Sequence, residues 1–218
     1  MKDICLDLDR PERMGLPELI YGEHKSVDQL RRILAAFRRE GQGALVTRLQ
    51  PGKAAELSGG EYDPLGRTFR VGPPFPPRPG LVGVVSAGTS DAPVVAETAV
   101  TLTYLGLRAR CWNDLGISCL QRLLDRLPAL IECDLLICVA GFEGALPSVV
   151  AGLFPGPVIG VPASVGYGVA AGGKAALGAM LASCAGGLLV TNIDNGCGAA
   201  LAAARLLRRR VRDADSQD

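Results

Sequence analysis

DLLICVAGFEGALPSVVAG, Asp134 to Gly152, joins an apolar run to a helical segment through a turn of small residues carrying one acid, Glu143. Strands of parallel sheets are buried on both faces and read as near-continuous hydrophobic runs. A run of that kind that breaks at a small residue and restarts as a helix is the repeating unit of an α/β sheet. Ligands in such sheets sit outside the carboxyl ends of the strands. A carboxylate placed there costs free energy unless it is paired or used. Glu143 therefore has two readings: a site acid, or decoration of the first helical turn, where the macrodipole favours acids.

The same unit recurs on both sides. LVGVVS (Leu81–Ser86), RARCW (Arg108–Trp112), PVIGVPAS (Pro157–Ser164) and GLLVTNID (Gly187–Asp194) read as further strands. Helical segments follow at Ala92–Gly106, Gly116–Leu127, Glu143–Phe154, Lys174–Cys184 and Gly198–Arg210. Asp91 or Ser90 caps the first of these, with Pro93 in its opening turn. Pro147 bends the third or delays its start. Five strand–helix units specify an α/β fold with an open, doubly wound parallel five-stranded sheet and right-handed crossovers. A barrel needs eight units.

The amino-terminal region has a different grammar. Residues 1–24 are charged and punctuated by Pro11 and Pro17, which predicts an extended arm anchored by Leu16, Leu19, Ile20 and Tyr21. Ser26 with Gln29 forms a capping box ahead of the amphipathic helix VDQLRRILAAFRREG, which Gly41 ends. GALVTRL (Gly43–Leu49) reads as a strand and EYDPLGRTFRVG (Glu61–Gly72) as a hairpin turning at Asp63-Pro64-Leu65-Gly66. PPFPPRPG can be neither helix nor central strand. The expected organisation is a small α+β domain over 1–72, a linker over 73–80, the α/β domain over 81–212 and a polar tail over 213–218.

Composition narrows the function. Of 218 residues, 48% are apolar and 21% charged, and the net charge is +1, which fits a folded globule and advertises no nucleic-acid or membrane-surface partner through bulk charge. LLRRRVR, Leu206–Arg212, reads as the solvated end of the last helix. No apolar stretch is long enough to span a membrane, and MKDICLDLDRPER lacks the apolar core of a signal peptide. The seven cysteines include no CxxC pair, and a single histidine rules out a histidine-rich metal site. The expected setting is the reducing cytoplasm.

Each strand-to-helix loop is a candidate site. Ser86-Ala87-Gly88-Thr89-Ser90-Asp91 offers a small-residue turn at a helix amino terminus, suited to phosphate, but matches neither GxGxxG nor GxxxxGK[ST]. Asp91 would repel a phosphate unless it faces a sugar hydroxyl or serves only as a cap. Asn113 and Asp114 read by default as helix caps. Pro162–Lys174 is long and glycine-rich, a lid or a ligand loop in which Ser164, Gly166, Tyr167 and Gly172 would contact substrate. Asn192, Asp194 and Asn195 precede the last helix, as caps or as ligand contacts. Cys184 closes a small-residue helix and is followed by Ala185-Gly186-Gly187, which leaves access to its sulfur. With no histidine nearby it is either a packing thiol or a nucleophile activated by another cation. Cys197, near a helix amino terminus, is its rival.

Together SAGTSDAPVVAE, AGFEGALPSVVAG, VPASVGYGVAAGG, LASCAGG and NIDNGCGAA resemble, in order and spacing, the LarB family, and the likeness extends to DLDRPERMGLPELIYGEHKS and YDPLGRTFRV. That family makes pyridinium-3,5-biscarboxylic acid mononucleotide for the nickel-pincer nucleotide cofactor. The carboxy-terminal part also resembles PurE-type carboxylases, which share a flavodoxin-like three-layer αβα sheet and an octameric assembly. Those enzymes carry AGxAAHLPG with a working histidine; here Ala145 replaces it and Glu143 stands two positions earlier. Cys197 and His24 depart from the LarB pattern, which leads us to expect an aromatic residue and a glycine there.

The resemblance implies nicotinic acid adenine dinucleotide and carbon dioxide or bicarbonate as substrates. The products would be the biscarboxylated mononucleotide and AMP. It makes Cys184 the ring nucleophile and Glu143 the general base, with Lys25 and Tyr167 holding phosphates or ring. No tightly bound cofactor is implied. Magnesium at the pyrophosphate, with Asp91, Asp114 or Asp194 as contacts, and a homo-octamer would follow. The alternatives are a PurE-type aminoimidazole ribonucleotide carboxylase or mutase and a nucleotide-binding module without turnover.

Overall fold

The structure, a computed structural model, describes residues 5–214. The larger sheet comprises β5 (Leu81–Ser86), β6 (Arg108–Trp112), β7 (Leu135–Ala140), β8 (Val158–Pro162) and β9 (Leu189–Val190). All neighbours are parallel, in the order β6-β5-β7-β8-β9. This is the flavodoxin-like order, and its topological switch falls between β5 and β7. Every residue of β7 and β8 is buried, as their unbroken apolar sequences require, whereas β6 at one edge is largely open.

Helices α4 (Ala92–Tyr104) and α8 (Gly196–Ala214) cover one face of this sheet; α5 (Leu120–Ile131), α6 (Leu146–Leu153) and α7 (Lys174–Leu181) cover the other. Small residues let α8 lie close: Ala199, Ala200, Ala203 and Ala204 are at most 1% exposed and share a core with Val94, Val95 and Leu102 of α4.

The amino-terminal domain is a four-stranded sheet in the order β1-β2-β4-β3: β1 (Ile20–Tyr21), β2 (Ala44–Thr47), β3 (Glu61–Asp63) and β4 (Thr68–Val71). Helix α2 (Val27–Arg39) closes it. The Ser26–Gln29 capping box is formed in both directions, and Leu30, Ile33, Leu34 and Phe37 are buried against β2 and β4.

Several expectations are corrected. The arm contains a short helix, α1 (Arg10–Met14), opened by Pro11 and ended by Gly15 at φ +64°. Its Leu16 is 2% exposed and packs into the core of the larger domain, while Ile20 enters that of the smaller. Helix α3 (Pro51–Ala55) was not expected. Its Lys53 donates from Nζ to the carbonyls of Glu23 and Lys25, at 2.6 and 2.8 Å, and fixes the turn that follows β1. Helix α5 continues through Pro128 to Ile131; the ring removes one backbone hydrogen bond, on the turn that carries the exposed Leu124. Helix α8 runs on through residues 213 and 214, so those two are not tail; 215–218 lie outside the described residues, as do residues 1–4 of the arm. Among the described residues, no helix is long and apolar enough to cross a membrane.

The two domains are docked through the hairpin. A Cβ on Gly66 would lie 2.7 Å from the Glu97 nitrogen and 2.9 Å from the Ala96 carbonyl carbon, so only glycine lets the turn rest on α4. Arg48 reaches across from β2 and donates from Nη2 to the Asp194 carbonyl oxygen at 2.6 Å.

Candidate active site

The loops at the switch point enclose a cavity of about 380 Å³. It is lined by Gly88, Ser90 and Asp91 from the β5 loop, by Gly116, Ile117 and Ser118 ahead of α5, by Ala140–Glu143, Ala145 and Leu146 from the β7 loop, and by Val165. Asp91 is its most constrained group. The residue is 2% exposed, and its Oδ2 accepts the Gly88 amide at 2.8 Å. Burial pushes the carboxyl upward from its ordinary value; the amides of Gly88, Ala87 and Gly141 pull it back, and Asp194 adds to the rise. By accepting from Gly141 as well as Gly88, Asp91 binds the β5 loop to the β7 loop. It is therefore not the side-chain cap of α4.

Glu143 is exposed at the cavity mouth, in a turn that ends before α6 begins at Leu146. It does not sit in the first turn of that helix, because Pro147 sets the start of α6 after it. The preceding Phe142 has φ +52°, an unusual conformation for an aromatic residue. Its amide donates to the Val165 carbonyl at 2.8 Å. Its ring meets Tyr167 edge to face, with centroids 5.5 Å apart. Tyr167 is 79% exposed, so the pair presents aromatic surface beside the carboxylates. Sequence reasoning missed Phe142; an aromatic residue in a strand-end turn of small residues was the available signal.

The other expected residues are distributed unevenly. Ser86 is fully buried and donates to Asn113 Oδ1 at 3.2 Å, so it braces the loop from behind. Thr89 is exposed in the turn that leads into α4. Asp114 caps no helix; it pairs with Arg122 at 2.5 Å beside a separate hollow. Asp194, with φ +55°, accepts the Ser164 amide at 2.7 Å, and the cap of α8 is Asn195, whose Oδ1 accepts from Gly198 at 2.8 Å. Asn192 closes on its own neighbour, accepting the Ile193 amide. Gly166 and Gly172, at φ +149° and +73°, shape the Tyr167 loop. Lys25 faces another hollow, with Glu18, Tyr21 and Gln29. Among the described residues, no three or more His, Cys, Asp or Glu side chains cluster as a metal cage.

The two thiols differ in kind. Helix α7 ends at Leu181, so Cys184 lies beyond it in an exposed loop rather than on its last turn. Ser183 fixes that loop through Ser148, Oγ to Oγ at 2.7 Å. Strand β9 then pairs Leu189 with Ile159, three residues short of the carboxyl end of β8, and Cys184 does not line the Glu143 cavity. The Cys197 thiol, by contrast, is pushed up to about 12, first by burial and then by Glu97, which makes it a packing thiol. Glu97 is 5% exposed, accepts the Cys197 amide at 3.2 Å, and is itself raised by burial.

Comparison with known proteins follows the two domains. Residues 1–72 match the family model of the LarB/PurE-like N-terminal domain, and residues 81–217 match that of AIR carboxylase. The chain belongs to the LarB family. Its larger domain is PurE-like, and the family is one of LarB/PurE-like carboxylases. This LarB-family chain is 35% identical over 207 residues to a Methanocaldococcus jannaschii protein described as uncharacterized protein MJ0165, covering 89% of this chain and 80% of that one. It also superposes on Treponema denticola PurE with a TM-score of 0.51 at 21% identity, covering 63% of this chain and 92% of that one. A second Treponema denticola PurE structure, that of a serine-to-aspartate variant, gives 0.50 at 22% identity, over 63% and 91%. These two likenesses establish the fold of the larger domain.

Proposed function

We propose that this LarB-family carboxylase carboxylates the pyridinium ring of nicotinic acid adenine dinucleotide and hydrolyses its phosphoanhydride, releasing pyridinium-3,5-biscarboxylic acid mononucleotide and AMP. The observation that carries the reading is the cavity at the switch point: a carboxylate, Glu143, beside the aromatic pair Phe142–Tyr167, with Ala145 in the lining. A PurE-type histidine mechanism has no imidazole to draw on there, since His24, the one histidine, meets Tyr21 edge to face in the other domain.

A pyridinium ring is electron-poor and does not attack carbon dioxide. Addition of the Cys184 thiolate forms a carbon–sulfur bond and leaves a neutral dienamine whose unsubstituted meta carbon is nucleophilic. That carbon bonds carbon dioxide. Glu143 removes the ring proton, the freed C–H electron pair restores the dienamine, and expulsion of the thiolate with the carbon–sulfur pair restores the pyridinium. The cationic ring lowers the energy of the adjacent thiolate. Water then cleaves the phosphoanhydride. Magnesium enters this reading only as an ion accompanying the diphosphate, which Asp91 or Asp194 on the site loops would contact; no step depends on it.

The reading requires Cys184 to reach the Glu143 cavity, and we assign it to a neighbouring copy of the chain in a cytoplasmic homo-oligomer, octameric if it follows PurE. Leu181 and Leu189 flank Cys184 at 68% and 45% exposure, apolar surface of the kind a subunit contact covers. The test incubates purified protein with the dinucleotide, bicarbonate and magnesium and seeks both products by mass spectrometry. Their absence overturns the reaction. Turnover retained in Cys184→Ala would keep the reaction and discard the covalent mechanism; full activity in Glu143→Gln would remove Glu143 as base.

A further inference from the structure

A second cavity, of about 240 Å³, lies at the junction of the two domains and shares Ser90 and Val165 with the first. Two arginines converge on it, Arg48 from the end of β2 and Arg67 from the hairpin. Both hold φ +52°, a conformation that is costly for residues other than glycine and that concentrates at ligand sites. The Leu49 amide donates to the Arg67 carbonyl at 2.7 Å, so the two strained segments brace each other.

Three carboxylates, Glu23, Glu97 and Asp194, share this lining with the two arginines, and each accepts a hydrogen bond from within the protein. Glu23 accepts the Tyr21 hydroxyl at 2.5 Å, Asp194 accepts the Ser164 amide, and Glu97 accepts the Cys197 amide. Arg48 spends one nitrogen on the Asp194 carbonyl, with a longer contact to that of Ile193. Among the described residues, no acceptor is bonded to the Arg67 guanidinium. Its fork of donors opens on a hollow smaller than the roughly 300–1,000 Å³ that takes a whole drug-sized ligand. Such a fork matches the paired oxygens of a phosphate.

We infer that this junction cavity is a diphosphate subsite in which Arg67, aided by Arg48 and the Ser90 and Ser164 hydroxyls, holds the phosphoanhydride bridge of a dinucleotide. The base and ribose next to the bridge then extend through the Ser90–Val165 wall into the first cavity. Only that orientation rests on the function proposed above; the diphosphate site itself does not.

The test is binding of inorganic pyrophosphate to the whole protein by titration calorimetry, with the Michaelis constant for nicotinic acid adenine dinucleotide measured in parallel. Arg67→Gln is expected to weaken pyrophosphate binding about tenfold or more, the loss of one charge-assisted contact. Binding by the parent is expected to fall with added salt. Arg67→Gly, which suits φ +52°, serves as the variant whose backbone is unstrained, and it is expected to lose pyrophosphate equally. Unchanged pyrophosphate affinity in both variants overturns the subsite, even if the carboxylation proceeds. Arginine-dependent pyrophosphate binding without turnover of the dinucleotide supports the subsite and overturns the reaction.

Discussion

Asp91→Asn is the most informative single change at the site. The carboxylate is buried and accepts backbone amides from both loops of the switch point, Gly88 at 2.8 Å among them. Asparagine keeps one acceptor oxygen and turns the other position into a donor that confronts amide donors. A buried polar group left without its partner costs about 1–3 kcal/mol. Removing a desolvated charge offsets part of this, which leaves a net loss of about 1–2 kcal/mol at neutral pH. In a chain of this size each kcal/mol moves the melting temperature by about 2–4 °C, so a fall of about 2–8 °C is expected.

The pH dependence carries the sign. Burial raises the Asp91 carboxyl above 3.8 in the fold, so its favourable contribution is complete below that value and is lost as pH rises through the folded-state value. The deficit of Asp91→Asn relative to the parent should therefore be largest near pH 4 and shrink towards pH 7. Thermal melts of both proteins from pH 4 to 8 measure this. A deficit that grows with pH would show that the amides outweigh burial and refute the reasoning, as would identical melting at every pH.

Three further outcomes follow from the geometry. Cys197→Ser should leave turnover within about twofold, because a buried thiol held near 12 supplies no thiolate; abolished turnover in a folded variant would make it the nucleophile. Gly66→Ala places a Cβ 2.7 Å from the Glu97 nitrogen, and overpacking of this kind costs about 1–3 kcal/mol, read as a lower urea midpoint with unchanged slope. Tyr167→Ala removes the edge-to-face partner of Phe142, worth about 0.5–1.5 kcal/mol beyond area, and should raise the Michaelis constant for a pyridinium substrate up to roughly tenfold. An unchanged constant would remove the pair from the site.

Much of the larger domain was legible because a buried parallel strand has little choice of residues: LVGVVS and LLICVA had to be central, and they are β5 and β7. Edges were harder. GLLVTNID contributes only Leu189 and Val190 to the sheet: the Thr191 and Asp194 amides still bond the Gly160 and Pro162 carbonyls of β8, but a turn at Ile193–Asp194 ends the regular strand. Helix α3 went unread although Pro51 marks a helical first turn, since five residues give no period. At the site, Asp91 and Glu143 lay in strand-end loops, where any such fold gathers its ligands. Arg48 and Arg67 belonged to a strand and a hairpin with no local peculiarity; their convergence is created by docking through Gly66, a tertiary event that leaves no periodic trace.

Leu16 has a consequence for how this protein can be divided. Its side chain belongs to the same buried core as Val82, Leu105 and Leu207, and the end of α1 is held by two arginines, Arg208 donating to the Met14 carbonyl and Arg78 to that of Gly15 at 2.7 Å. A chain severed in the proline segment would leave the carboxy-terminal half with an unfilled leucine socket, a defect of about 2–5 kcal/mol by analogy with leucine-to-alanine changes. The halves should therefore melt as one cooperative unit, and their genes, though matched to separable families, would resist fission and shuffling. The arm works as a clasp, and with the Gly66 hairpin and Arg48 it ties the inheritance of the two domains together.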